Sequence, residues 1–388
     1  MIQTSSQSQE SSIEEKLQKI IKDFKIVGLS ALVVDKTKPV WEGYYGLASI
    51  EAKKRVNPHT VYRIASVSKM ILGVALMQLY EKGKFKLEDD ISDHLGYKVR
   101  NPHFPDVPIN FIHLLTHTSS LQDEYTKFVF ASYCNEPPSL KEVLFPGGSF
   151  YTDGVWGNYE PGSKENFLYS NLASVVLGTL VECLSGERYD VYCRKNIFKP
   201  LGMDESSFNI EDLNLDETAV LYEYNKENQE FDVALDTAGK NRLPKIDLSN
   251  YIPGTNGGIY RPQGGLYSNA RDLSKFLLMC MNDGTYNGVQ ILKKETLKLI
   301  TSEHWQGVAK NSRYRKKGLN FQITDAFSPG KVLIGHCGDA WGLLSGLYFD
   351  EEREKGLIFL TSGSEIDREE LPYSVEKELI PALYSIIE

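Results

Sequence analysis

The runs that read as β-strands lie at the two ends of this 388-residue chain, with a largely helical stretch between them. Strands that far apart in sequence must still bury their apolar faces, so a single sheet has to be assembled from both ends. Near the start, Gly28 to Val34 and Val40 to Ser49 are strand-like, and Lys36 to Pro39 reads as the hairpin turn between them. Toward the end, Val332 to Gly338, Leu343 to Phe349 and Gly356 to Thr361 are short and apolar, with Asp350 to Lys355 a charged hairpin tip.

Helical periodicity fills in the rest. Ser12-Ile13-Glu14-Glu15 reads as a capping box opening a first amphipathic helix through Ile13, Leu17, Ile20, Ile21 and Phe24. The Ser/Gln/Glu-rich residues 1–12 before it read as a disordered tail. Ser66 to Lys82 and Asn171 to Leu184 read as apolar helices, the second closed by Gly186. A last helix is expected from Glu369 to Ile387. Phe145 to Phe167 is a long loop rich in glycine and aromatics. The predicted fold is α+β: an antiparallel sheet built from both chain ends, flanked by helices, with an inserted mostly helical lobe. The expected division is 13–82 and 256–388 for the sheet lobe and 83–255 for the helical lobe, with the active site between them.

Composition narrows the function. The net charge is −9 and no basic stripe is visible, so the footprint of a nucleic-acid binder is missing. The densest basic run, Arg313 to Lys317, reads as a solvated loop. No stretch reaches the roughly 18 to 20 apolar residues of a membrane span, and no apolar signal core is visible near the N-terminus. The chain as given is expected in the cytoplasm, or in the periplasm or medium where a leader has been removed. Five scattered cysteines (Cys134, Cys183, Cys193, Cys280, Cys337), with no C-x-x-C pair, read as buried apolar residues rather than a disulfide framework or zinc site.

Ser66-Val67-Ser68-Lys69 is an S-x-x-K motif at a helix start, which puts both side chains on one helical face. A serine hydroxyl needs a neighbouring base to become a nucleophile, and a lysine serves only when burial or nearby cations lower its pKa. Alone the motif is weak, and Ser66 could be a plain helix cap. Tyr169-Ser170-Asn171 opens the second apolar helix, where a tyrosine can relay a proton and an asparagine can orient an amide or ester. Gly335-His336-Cys337-Gly338, followed by Asp339-Ala340-Trp341-Gly342, lies on a C-terminal strand, where small residues let a substrate come close.

S-x-x-K, Y-S-N and H-x-G, in this order and at these separations, resemble the β-lactamase and penicillin-binding-protein serine hydrolases. The branch that looks most similar comprises class C-like enzymes, D-specific peptidases and esterases. Arg63-Ile64-Ala65, Leu114 to Leu121, Phe198 to Met203 and Gly264 to Ser268 fit the same family. The resemblance implies an acyl-enzyme on Ser66, general base and acid work shared by Lys69 and Tyr169, and a substrate held by Asn171, His336, Gly338, Asp339 and Trp341. It places the oxyanion hole at the backbone N–H groups of Ser66 and Asp339, and His336 beside Tyr169. It implies no metal and no cofactor, and a small-molecule or peptide substrate carrying an ester, amide or peptide bond; transacylation and a catalytically weak binding relative are the alternatives. Class C β-lactamases carry Lys-Thr-Gly where this chain has His-Cys-Gly, which weakens a fixed cationic grip on a substrate carboxylate.

Competing signals are thinner. No G-x-S-x-G elbow is present. His113 and His117 have metal-ligand spacing but lack the H-E-x-x-H glutamate, and read as structural. The glycines from Gly254 to Gly265 lack a phosphate-loop ending and read as a turn beside the cleft. The Trp156 loop could line an acyl pocket or pack the helical lobe.

Overall fold

A computed structural model describes residues 3–123, 138–239, 247–307, 315–327, 330–368 and 371–387. The first helix, α1, spans Gln3–Asp23. Ser12 therefore lies inside it, and the stretch expected as a disordered tail is helical from Gln3. No glycine or proline interrupts this segment, so a helix once nucleated propagates through it. The hairpin follows as β1 (Gly28–Asp35) and β2 (Pro39–Ser49). Asp35 closes its turn by accepting the backbone N–H groups of Thr37 and Lys38. Helix α2 (Ser68–Glu81) comes next, after a 3-10 turn at Ala65–Val67. Helix α3 (Asn171–Ser185) is capped by Ser170 and ends on Gly186 in the left-handed conformation.

Within the inserted stretch, β3 (Leu221–Asn225) and β4 (Glu230–Leu235) form a hairpin that joins the sheet. Helix α4 (Ala270–Met281) precedes the C-terminal strands: β5 (Trp305–Gln306), β6 (Lys316–Lys317), β7 (Gln322–Thr324), β8 (Leu333–Ala340), β9 (Leu343–Asp350) and β10 (Lys355–Ser364). The last α-helix, α5, spans Ser374–Tyr384. It begins later than its periodicity suggested because Pro372 disfavours helical geometry at the residue before it.

Among the described residues the main sheet runs β5-β6-β7-β8-β9-β10-β1-β2, then a short strand at Lys54–Arg55. β1 from the N-terminal end pairs antiparallel with β10 from the C-terminal end, Ala31 opposite Phe359. The sheet assembled from both ends is thus present. The pairings the sequence reading missed include the edge strands β5, β6 and β7 and β3, which lies parallel to β10 with Tyr222 opposite Gly363.

Alternation along each strand divides the core. Leu29, Ala31 and Val33 face α1 and α5, with Leu17, Leu379 and Leu383. Leu32 and Val34 face the opposite side, where α2, α3 and α4 pack in the larger cluster. Trp156 is buried there, its Nε1 donating 3.0 Å to the Leu144 carbonyl, so it packs the core rather than lining an open pocket. Cys193, Cys280 and Cys337 are buried and Cys183 is half-buried, none of them in a disulfide, while Cys134 lies outside the described residues. Among the described residues no helix is long and apolar enough to cross a membrane.

Candidate active site

Ser66 sits in the 3-10 turn that leads into α2, half-buried, with Lys69 in the first turn of that helix. The turn is clamped from three sides. Ser68 Oγ donates 2.6 Å to the Ala65 carbonyl and accepts 3.1 Å from the Leu266 N–H. The Ile64 N–H donates 2.9 Å to the Leu266 carbonyl. Ser345 on β9 donates 2.9 Å to the Ile64 carbonyl. Ala65 adopts φ +49°, a left-handed conformation costly for a residue with a side chain, so the clamp holds local strain.

Gly338 on β8 explains how the strand comes so near. A Cβ there would lie 2.6 Å from the Ile64 carbonyl oxygen and 3.1 Å from the Ala65 Cβ. Only a residue without a side chain lets β8 run against this turn.

Lys69 is fully buried. Its Nζ lies 3.1 Å from Ser66 Oγ, 2.8 Å from Asn171 Oδ1 and 2.7 Å from the Gln263 carbonyl oxygen. Burial pushes its pKa down to about 7; the Asp123 carboxylate opposes this, the Lys317 ammonium adds to it, and Cys337 opposes it weakly. Two of the three partners are carbonyl oxygens, which only accept. In the neutral amine they take both N–H groups, and the lone pair is left for the Ser66 hydroxyl.

Tyr169 lies on the other flank, its ring centroid 4.7 Å from Lys69 Nζ and 6.2 Å from the His336 ring. His336 is fully buried, with Nδ1 2.6 Å from the Cys337 carbonyl oxygen. A carbonyl cannot donate, so Nδ1 carries the proton. Five predicted residues (Ser66, Lys69, Tyr169, Asn171 and His336) are therefore joined by direct contacts or neighbouring rings. Gly338 touches the nucleophile turn. Asp339 turns its carboxylate away, accepting from Arg368 at 2.7 Å and from the Tyr373 hydroxyl at 2.6 Å. Trp341 lies beneath the Arg63 guanidinium, 3.8 Å from its ring centroid, and Arg63 Nε reaches the Gly264 carbonyl. The glycine-rich stretch before Leu266 therefore does form a turn against the site.

Four groups around Lys69 escaped the sequence reading. The Gln263 carbonyl is one. Asp123 is another: one oxygen accepts from the Asn171 backbone and Nδ2, both at 2.9 Å, and the other from Leu172 N at 2.9 Å and Ser170 Oγ at 3.1 Å. His117, read as structural, does hold structure through its Nδ1, which accepts 3.2 Å from the Ser170 N–H, but its ring also lies tilted against Tyr169, 4.5 Å between centroids. Burial drives its pKa well below the ordinary value, with Lys317, Lys69 and His336 adding to the effect, so it stays neutral. His113 serves instead in the cap of the short helix at Phe111–Leu115.

Lys317 corrects the reading of the basic run. Lys316 is half-exposed and pairs with Glu303 at 2.9 Å, but the next residue points to the opposite face and is fully buried. Burial pushes Lys317 down to about 7. Arg313 and Tyr314, earlier in the run, lie outside the described residues. Among the described residues no cluster of His, Cys, Asp and Glu could hold a metal ion.

Comparison with known proteins matches the chain to a family. The Beta-lactamase family model matches residues 13–378. Protein flp of Staphylococcus aureus (strain MRSA252) is 30% identical over 207 residues, covering 53% of this chain and 38% of that protein. Penicillin-binding protein 4* of Bacillus subtilis (strain 168) is 30% identical over 162 residues, covering 42% and 34%. These matches thus span well under half the length of the curated relatives. The octameric penicillin-binding protein homologue from Pyrococcus abyssi superposes with a TM-score of 0.73 at 22% identity, over 97% of this chain and 77% of that one. D-amino acid amidase from Ochrobactrum anthropi SV3 gives a TM-score of 0.71 at 21% identity, over 97% and 99%. The structural likenesses speak to the fold, and the family match extends over nearly the whole chain: this protein belongs to the beta-lactamase family.

Proposed function

We propose that the chain is a serine hydrolase that works through an acyl-enzyme on Ser66. The observation that carries this reading is the buried Lys69, 3.1 Å from Ser66 Oγ, with two carbonyl acceptors fixing its other hydrogens. Burial lowers the Lys69 pKa, which favours the neutral amine that can take the serine proton. The hydroxyl oxygen attacks the substrate carbonyl, and the backbone N–H groups of Ser66 and Asp339 receive the developing oxyanion. One such donor is worth about 2.7 to 4 kcal/mol in the transition state. Tyr169, beside both Lys69 and His336, passes a proton to the leaving group. Water then enters and releases the acyl group by the reverse relay. Asn171, Gly338 and Trp341 form the substrate side.

Substrates on this reading are esters, amides or peptides with a small acyl part. The amidase neighbour makes a D-amino acid amide a reasonable first candidate beside a simple ester. The test compares p-nitrophenyl butyrate, a D-Ala-D-Ala peptide and D-phenylalanine amide, with intact mass read on quenched samples. Wild type is expected to show a burst and an acyl adduct, and Ser66→Ala to lose both while keeping its thermal transition. Substantial turnover by Ser66→Ala would overturn the assignment.

A further inference from the structure

Asp123 has no part in the relay just described, yet its carboxylate is aimed at the relay's support. Of the two amide atoms of Asn171, Oδ1 faces Lys69 and Nδ2 faces Asp123. That orientation is chemically forced. A carboxylate accepts hydrogen bonds only, so it selects the NH₂ end of the amide and turns the carbonyl end to the lysine. The same carboxylate oxygen takes the Asn171 backbone N–H, so main chain and side chain of that residue are fixed by one atom. The second oxygen takes Leu172 N and Ser170 Oγ, and Ser170 in turn caps α3 through Ala173 N.

We infer that Asp123 is a positioning residue for the acyl-transfer relay: it sets the Asn171 amide so that Lys69 is held by an acceptor and keeps its third position toward Ser66. The inference rests on the hydrolase reading above. It separates two jobs in the loop after Leu121. Helix capping is shared with Ser170, whereas orienting the Asn171 amide falls to Asp123. An asparagine at position 123 would keep the shape but, with its NH₂ in place of the oxygen that holds Asn171, would set that NH₂ against two of the four donors, the Asn171 backbone N–H and Nδ2. The Asn171 amide would then turn over and present hydrogens to the Lys69 amine.

Charge gives the inference a signature that capping lacks. The groups around Lys69 are Asp123 ahead of α3, Tyr169 and His117 on the helical flank, His336 and Cys337 on β8, and Lys317 on β6. Asp123 raises the Lys69 pKa, so removing its charge lowers that value. The base then remains neutral to lower pH, and the acid limb of kcat/KM moves down.

The experiment measures p-nitrophenyl butyrate hydrolysis and fluorophosphonate labelling of Ser66 against pH, in wild type, Asp123→Asn and Ser170→Ala. Asp123→Asn is expected to lose about 10- to 100-fold in kcat and in labelling rate, as when a group that orients a catalytic ligand is removed, with the acid limb displaced to lower pH. Ser170→Ala, which removes the helix cap but leaves the carboxylate on Asn171, is expected to lower Tm without moving that limb. If wild type turns over and Asp123→Asn keeps both its rate and its limb, the positioning role is overturned and the hydrolase reading stands. The same holds if Ser170→Ala displaces the limb as far as Asp123→Asn does. If wild type labels without turning over the ester, the labelling rates decide the matter alone. If wild type neither labels nor turns over, the hydrolase reading fails and this inference fails with it.

Discussion

On the strand flank of Ser66 the contacts are tight and mostly main-chain. Gly338 abuts Ile64 and Ala65, Ser345 reaches the Ile64 carbonyl, and Leu266 pairs with Ile64. On the helical flank the contacts are polar side chains in series, from Asp123 through Asn171 to Lys69, with His117 against Tyr169. Close packing is intolerant of volume but indifferent to pH. A polar relay tolerates small movements but responds to any charge placed near it. The two flanks should therefore fail in different ways when perturbed.

The largest effect is expected on the helical flank. Tyr169→Phe keeps the ring against His117 and removes only the ionisable oxygen, and kcat should fall by about 10²- to 10⁴-fold. Burst amplitude and steady-state rate check this; a loss of only a few-fold would leave proton transfer to Lys69 alone. Gly338→Ala is the matching attack on the strand flank. Its Cβ would stand 2.4 Å from Ser345 Oγ and 2.6 Å from the Ile64 carbonyl oxygen, so the turn carrying Ser66 has to move. The cost should be about 1 to 3 kcal/mol of stability, with a drop in kcat of about 100-fold from misplacement, and the pH profile unchanged in shape. A shifted profile would mean that the flanks are not separable. The mildest test is Lys317→Met. Lys317 disfavours the charged form of Lys69, so its removal raises the Lys69 pKa. The acid limb should then move to higher pH, opposite to the shift from Asp123→Asn. An unmoved limb would remove Lys317 from the electrostatics of the site.

The contrast also accounts for what could be read from the chain. The strand flank was legible because its constraints are local: Gly338 lies two residues from His336, and S-x-x-K is a contiguous motif. The two-ended sheet was legible because strand periodicity survives without knowledge of partners. Lys317 was misread because a run of basic residues looks solvated until strand alternation assigns its members to opposite faces. Asp123 was missed because its partners are 47 to 49 residues away, and nothing in Leu121-Gln122-Asp123 points toward Asn171. The β3–β4 hairpin was lost inside a stretch read as helical, although Tyr222, Tyr224 and Phe231, Val233 alternate with polar residues.

That hairpin bears on how the molecule moves. Tyr222 lies beside Gly363 on the central sheet, and its hydroxyl accepts 2.8 Å from the Ile50 N–H. A Cβ at Gly342, just past β8, would fall 1.7 Å from the Tyr222 carbonyl oxygen. The helical insert is thus sewn into the layer that carries His336 and Gly338, and a wide jaw-like opening would have to tear a hydrogen-bonded seam. On the proposed hydrolase reading, a substrate would approach Ser66 between elements already joined at this edge by the Tyr222 pairing.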